Sequence, residues 1–241
     1  MDRFRNLLKI PSIRVLVGRV RLWYYLTLKK RWKVVDSQYA FDVTVKHNLK
    51  LLRDFSNPRM DLLIKPLSAL EFLDQNSSVL VIGPRNETDL LWLLANGFQR
   101  SRIRGLDLMS YSPLIDVGDM HQTPYAADSW DAIVCGWTLS YSRSPELFSR
   151  ELMRIAKPGC AIAIAVEYSP LSDDDLAELV GYNIADKGFK RINSVDQILR
   201  LFEGHVEYLY FSHDAPLKRH HSRAGAISNP SSVAVIFTVR K

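Results

Sequence analysis

Val79-Leu80-Val81-Ile82-Gly83 is a short, unbroken apolar run closed by glycine, the pattern of a strand buried on both faces of a sheet. Beyond Pro84-Arg85-Asn86-Glu87, residues 88–96 predict a helix with Gly97 as its C-cap. Arg104-Gly105-Leu106-Asp107 reads as the end of a second strand. Asp131-Ala132-Ile133-Val134-Cys135 is another apolar strand, and residues 145–156 predict a helix. Lys157-Pro158-Gly159-Cys160 reads as a turn into a buried strand over 161–167. Residues 206–211 and 233–239 complete the strands. Ser172 and Ser194 look like helix N-caps, the second in a capping box with Gln197. Strands alternating with helices predict an α/β fold, with a Rossmann-like, doubly wound, mostly parallel sheet.

Upstream the texture is helical. Leu49, Leu52 and Phe55 recur at three-residue spacing, and Leu63, Leu67 and Leu70 at four and three, with Pro58 and Pro66 breaking or starting helices. The organisation expected is an N-terminal arm over 1–35 and a domain over 36–241. Within the domain, 36–76 is a helical lead-in, 77–168 the core and 169–241 the C-terminal part. No internal repeat is visible.

Composition bounds the function. The 241 residues are 47% hydrophobic and 24% charged, enough for one buried core and unlike a disordered chain. Two cysteines, Cys135 and Cys160, exclude a disulfide framework and a cysteine-rich zinc site, and they fit a reducing, cytoplasmic setting. The net charge of +6 is unevenly placed. Residues 1–33 hold ten bases against the single acid Asp2, whereas the other 208 residues hold 22 bases and 25 acids. A mildly acidic body thus carries a strongly basic arm, and any argument for a nucleic-acid partner is confined to that arm.

The arm is apolar enough to resemble a membrane span, but Arg14, Arg19 and Arg21 interrupt it. A secretory leader also fits poorly, because bases continue through Lys33. At 100° per residue, Ile13, Leu16, Val17, Val20, Trp23, Tyr24 and Leu28 share one helix face. Two readings follow. The helix lies on an anionic membrane surface, making the protein peripheral there, or it packs its apolar face on the domain or on a second subunit. Nucleic acid is the least favoured partner.

In a sheet of this kind ligands bind beyond the carboxyl ends of the strands. A dinucleotide fingerprint would need more glycines after Gly83, and the acid Glu87 would repel a pyrophosphate. Nicotinamide and flavin chemistry are disfavoured on both counts.

Five pieces in order carry a resemblance: Val79 through Gly83, Gly105-Leu106-Asp107, Gly118-Asp119-Met120-His121-Gln122-Thr123-Pro124-Tyr125, the segment 128–134, and Lys157-Pro158-Gly159. Together they resemble class I S-adenosylmethionine-dependent methyltransferases across residues 77–168. The resemblance implies S-adenosylmethionine as cofactor. It implies that Gly83 lets the backbone approach the cofactor, that Asp107 accepts from the ribose hydroxyls, and that Asp119 accepts from the adenine amino group with Met120 against the ring. Trp137 would border the methionine portion or the substrate mouth.

The chain departs from that family twice. Arg85 and Glu87 stand where the family has further glycines; as one charge of each sign, they match the carboxylate and ammonium of the cofactor's amino-acid end, or pair with each other. Only a dozen residues separate Asp107 from Asp119, so the third strand is expected to be shortened or lost, with residues 110–116 a loop. Candidate proton-transfer residues are His121, Tyr141 and Glu167. His213, Asp214, His220 and His221 match no metal-ligand spacing, and no metal site is expected. Lys218, Arg219, His220, His221 and Arg223 lie in a long loop that either overhangs the acceptor pocket and favours an anionic acceptor or is simply solvated. The reading is a methyltransferase for a small-molecule or glycan- or lipid-linked acceptor. Its rival is a degenerate scaffold that keeps only the fold.

Overall fold

The computed structural model describes residues 2–35, 45, 49–55, 60–168, 191–214 and 231–241. A seven-stranded sheet in the order β5-β3-β2-β6-β7-β9-β8 forms its centre. The strands are β2 (Val79–Ile82), β3 (Ile103–Asp107), β5 (Ile115–Val117), β6 (Trp130–Gly136), β7 (Ala156–Tyr168), β8 (Val206–His213) and β9 (Ser231–Val239). The first five run parallel, and β9 is antiparallel to both β7 and β8. β8 is therefore parallel to β7, and its carboxyl end lies on the ligand side of the sheet.

Period-two alternation divides the core. Val79, Val81, Ala132, Val134, Ala161, Ala163 and Ala165 face one layer; Leu80, Ile82, Ile133, Cys135, Ile162, Ile164 and Val166 face the other. The first layer holds α1 (Asp2–Leu8), α3 (Asp61–Ser68) and α4 (Thr88–Ala95), through Leu8, Leu63, Leu67, Leu90 and Leu93. The second holds α5 (Pro145–Ile155) and α6 (Val195–Arg200), through Phe148, Leu152, Ile155 and Ile198. Ser144 caps α5 by accepting from the Leu147 N–H at 3.2 Å, and Ser194 caps α6 by accepting from the Gln197 N–H at 3.2 Å. Ser172 lies outside the described residues.

Two details depart from the sequence reading. The third parallel strand is shortened, not lost: Ile115, Asp116 and Val117 pair with Gly105, Leu106 and Asp107, the first two of them inside the span expected to be a loop. Lys157 through Cys160 are not a turn ahead of β7 but its opening, because Ala156 already pairs with Trp130 before the register shifts. Gly159, at φ +77°, absorbs the irregularity.

The arm forms α1 and α2 (Pro11–Trp23), a π-turn over Tyr24–Leu28, and β1 (Lys33–Val34). β1 pairs antiparallel with β4 (Met109–Ser110), next to Asp107. α2 presses the Gly18–Leu22 side onto the domain; a Cβ on Gly18 would lie 2.8 Å from the Phe55 ring. Leu22 joins Leu52, Phe55, Met109 and Tyr111 in a small separate core, and the Arg14 guanidinium lies 4.0 Å over the Trp92 ring. The helix therefore packs by the Gly18–Leu22 side and, from one edge of its apolar face, by Val17 against the first layer. Leu16, Val20 and Trp23 remain exposed. Among the described residues no helix is long and apolar enough to cross a membrane.

Candidate active site

Strand order reverses around β2, which lies between β3 and β6, so the crevice for a ligand opens beyond their carboxyl ends. Gly83 leaves β2 at φ +68°, and its N–H donates to the Leu106 carbonyl at 2.8 Å. Any Cβ there would overlap the Thr138 side chain, whose hydroxyl donates to the carbonyls of Ile82 and Gly136 at 3.2 Å. Arg85 adopts a left-handed φ of 52°, the conformation of a glycine, and so aims its N–H at Asp107 Oδ2, 2.9 Å away.

Asp107 ends β3 and is nearly enclosed. Burial pushes its carboxyl up to about 6, opposed by the N–H groups of Arg85, Met109 and Leu108. Of these N–H groups, Arg85 and Met109 lie within hydrogen-bond distance, at 2.9 and 3.4 Å, which leaves acceptor capacity on a carboxylate with about four lone-pair sites. The Arg85 Nε is buried without a hydrogen-bond partner among the described residues. Asp89, in the first turn of α4, is also buried, and burial lifts it to about 7 against the pull of Arg85 and Arg14.

Glu87 is fully buried, but not toward Arg85. Its carboxylate takes the Arg21 guanidinium at both oxygens, one of them at 2.9 Å from Nη2, and the Ser112 hydroxyl donates to it as well. The Glu87 N–H donates to the Tyr111 hydroxyl at 3.1 Å, and the Asn86 amide donates to the Asp54 carbonyl at 2.8 Å. The loop that carries glycines in the resembling family is here fastened to the arm and to the lead-in. The Glu87 charge is thus spent inside the protein, and this arrangement holds it away from a ligand ammonium.

Asp119 stands in a chain of polar contacts. Its Oδ1 accepts from the His121 N–H at 2.9 Å and meets His121 Nδ1 at 2.6 Å, while Oδ2 pairs with Arg143 at 2.7 Å. Burial works to raise its carboxyl, but these bonds prevail and hold it at about 2. His121 Nε2 lies 2.8 Å from the Ser142 hydroxyl, so both ring nitrogens are engaged. Met120 packs on the second core layer. Trp137 is buried in the first layer at φ +59°, its backbone N–H donating to Ala165. Tyr141 ends the 3₁₀ turn after β6, half-buried, and Glu167 is exposed near the end of β7.

The structure therefore gathers Gly83, Arg85 and Asp107 at one point, with Asp119, Met120 and His121 following β5. Arg21, Ser112, Tyr111, Thr138 and Arg143 escape sequence reading. Arg21 in particular reaches Glu87 across 66 positions, with no local spacing to signal it. No cluster of metal-ligating side chains occurs among the described residues, and His220 and His221 lie outside them. A cleft of about 410 Å³ among Ser78, Arg102, Arg104 and Trp130 opens at the amino ends of the strands, the wrong end of the sheet for this chemistry.

Residues 93–164 match a family described as a methyltransferase domain. Solved structures of the same fold include a chain of the complex with the Haloferax volcanii Trm112 methyltransferase activator: 17% identity, 83% of this chain and 96% of that one covered, TM-score 0.54. They include an S-adenosylmethionine-dependent methyltransferase from Aquifex aeolicus: 15% identity, 80% and 98% covered, TM-score 0.50. A geranyl diphosphate methyltransferase in complex with GPP and sinefungin shares 11% identity over 75% and 76%, with TM-score 0.50. No curated protein matches the sequence.

Proposed function

From the class I methyltransferase fold and the methyltransferase domain that this chain carries, we propose an S-adenosylmethionine-dependent methyltransferase. The supporting observation is the Asp107 carboxylate, buried at the end of β3 beside Gly83 and retaining acceptor capacity. In this reading Asp107 holds the ribose hydroxyls. Gly83 gives backbone access, and the guanidinium of Arg85, whose Nε has no partner among the described residues, holds the carboxylate of the amino-acid end. Asp119 and Met120 flank the adenine, and Trp137 borders the methionine portion.

The bound cofactor supplies a methyl group on a sulfonium, which asks the protein chiefly for in-line positioning. Glu87 supports the loop from within the protein instead of contacting ligand. His121, with both ring nitrogens engaged, positions Asp119. Tyr141 and Glu167 remain the candidates for taking a proton from the acceptor. That acceptor is an anionic small molecule or a glycan- or lipid-linked one, met by a cytoplasmic enzyme peripheral at the membrane.

One observation favours the rival reading of a scaffold. The Arg21–Glu87–Ser112 group occupies the loop where the resembling family keeps open glycines. Native mass spectrometry of the intact chain with added S-adenosylmethionine separates the two. A one-to-one adduct displaced by S-adenosylhomocysteine supports the enzyme. No adduct from the wild type, with an adduct gained on Arg85→Gly/Glu87→Gly, supports the scaffold.

A further inference from the structure

Leu16, Val20 and Trp23 are 61%, 55% and 56% exposed along one side of α2. At about 100° per residue, all three lie within about 40° of the line opposite Gly18, where the helix touches Phe55. Tyr24, Leu28 and Trp32 carry the exposed apolar surface past the helix end. A helix fixed to its domain by one side thus presents a second, apolar side outward. A contiguous apolar stripe rimmed by polar residues marks an interaction surface.

We infer that this stripe docks on an anionic lipid surface. Charge selects the occupant. Lys9, Arg19, Lys29, Lys30 and Lys33 are exposed on the arm that carries the stripe, with Lys29 5.7 Å over the Tyr24 ring, in a segment with ten bases and one acid. Trp23, Tyr24 and Trp32 have the amphipathic rings that settle at headgroup level. A second copy docking arm to arm would press two strongly positive surfaces together. A nucleic acid would need cations at the centre of the contact, where phosphates lie. The centre here is Leu16, Val20 and Trp23, with bases only at the flanks.

The inner side of α2 is meanwhile committed. Arg21 pairs with Glu87, and Leu22 is packed, so docking by the outer side leaves the Gly83–Glu87 loop undisturbed. The surface would then hold the candidate site near lipid-linked acceptors. That substrate class rests on the methyltransferase reading, whereas the docking rests on the arm alone.

The test is co-sedimentation of the full chain, without cofactor, with vesicles of phosphatidylcholine alone or mixed with phosphatidylglycerol. The wild type should bind the mixed vesicles at least tenfold more tightly than the neutral ones, and high salt should weaken that binding. Leu16→Ser/Val20→Ser/Trp23→Ser should lose at least tenfold, with its unfolding midpoint unchanged. The single variant Trp23→Ser should lose part of that and serves if the triple variant fails to fold. Wild type that ignores both vesicles, or a folded variant that binds like wild type, overturns the docking. So does self-association that the triple variant abolishes while vesicles are not bound. Vesicle binding without any S-adenosylhomocysteine binding would leave the docking standing and remove the methyltransferase reading.

Discussion

The Arg21 guanidinium meets both carboxylate oxygens of Glu87, tying the basic arm to the loop after the first core strand. Glu87 is fully buried and Arg21 only partly so, which makes the pair asymmetric. Removing Arg21 strands a buried charge, whereas removing both partners removes the problem. Arg21→Met should therefore lower stability by about 2–4 kcal/mol, at or below the range for a fully buried pair. Arg21→Met/Glu87→Gln should recover most of that. Urea unfolding of the two variants measures both; equal losses would show that the arm is held by packing alone.

Gly83 combines a left-handed φ with a side chain packed where its Cβ would stand. Gly83→Ala adds about 1–2 kcal/mol of backbone strain and about 1–3 kcal/mol of overpacking against Thr138. The variant should be destabilised by about 2–5 kcal/mol. Thr138→Gly in the same chain should return the packing part and not the strain. Thermal unfolding of the single and double variants checks the division.

Burial raises Asp89 to about 7 and Asp107 to about 6, so between pH 4 and 7 the folded chain binds more protons than the unfolded one. Their contribution to stability is complete below pH 4 and declines as pH rises through 6 to 7. Asp119, held at about 2, acts oppositely: its contribution is present above pH 4 and is lost as pH falls through 2. Asp89→Asn removes one declining contribution. It should gain stability over wild type at pH 8 and lose that advantage by pH 5, as read from urea midpoints at both values. A gain independent of pH would mean that Asp89 does not titrate in this window.

The central strands were legible because most are short apolar runs, as those ending at Gly83, Cys135 and Glu167 are, with helices between. β5 was not, since three residues with Asp116 in the middle carry no usable period. The opening of β7 was hidden by Pro158 and Gly159, which punctuate chains elsewhere as turns. Which side of α2 meets the domain was left open by the sequence for a different reason. Amphipathicity pointed to Leu16, Val20 and Trp23, but close approach at Gly18 and the Arg21–Glu87 pair decide which side meets the domain. Candidate site positions at strand ends were readable from order along the chain. The partners that fasten them come from distant segments, as Arg21, Ser112 and Arg143 do, and spacing cannot disclose those.

Arg85 offers a buried Nε that has no hydrogen-bond partner among the described residues, near Asp107 and Asp89. If it holds the carboxylate of the cofactor's amino-acid end, Arg85→Ala should weaken S-adenosylhomocysteine binding by about 1.5–3 kcal/mol, the worth of a charged hydrogen bond. Methylthioadenosine, which lacks that end, should bind the variant as it binds wild type. Equal losses for both ligands would place Arg85 in loop support instead.

Calorimetry with S-adenosylhomocysteine on wild type and Asp107→Asn tests whether the cofactor's ribose is held at the end of β3. At pH 8 the Asp107 carboxyl, raised to about 6, is ionised and would be able to accept from both hydroxyls. Wild type should bind, and Asp107→Asn should bind about tenfold or more weakly, since about 1.4 kcal/mol is a factor of ten. The wild-type affinity should also fall as the solution is taken below pH 6. A wild type that does not bind, or a variant that binds equally well, would contradict the account.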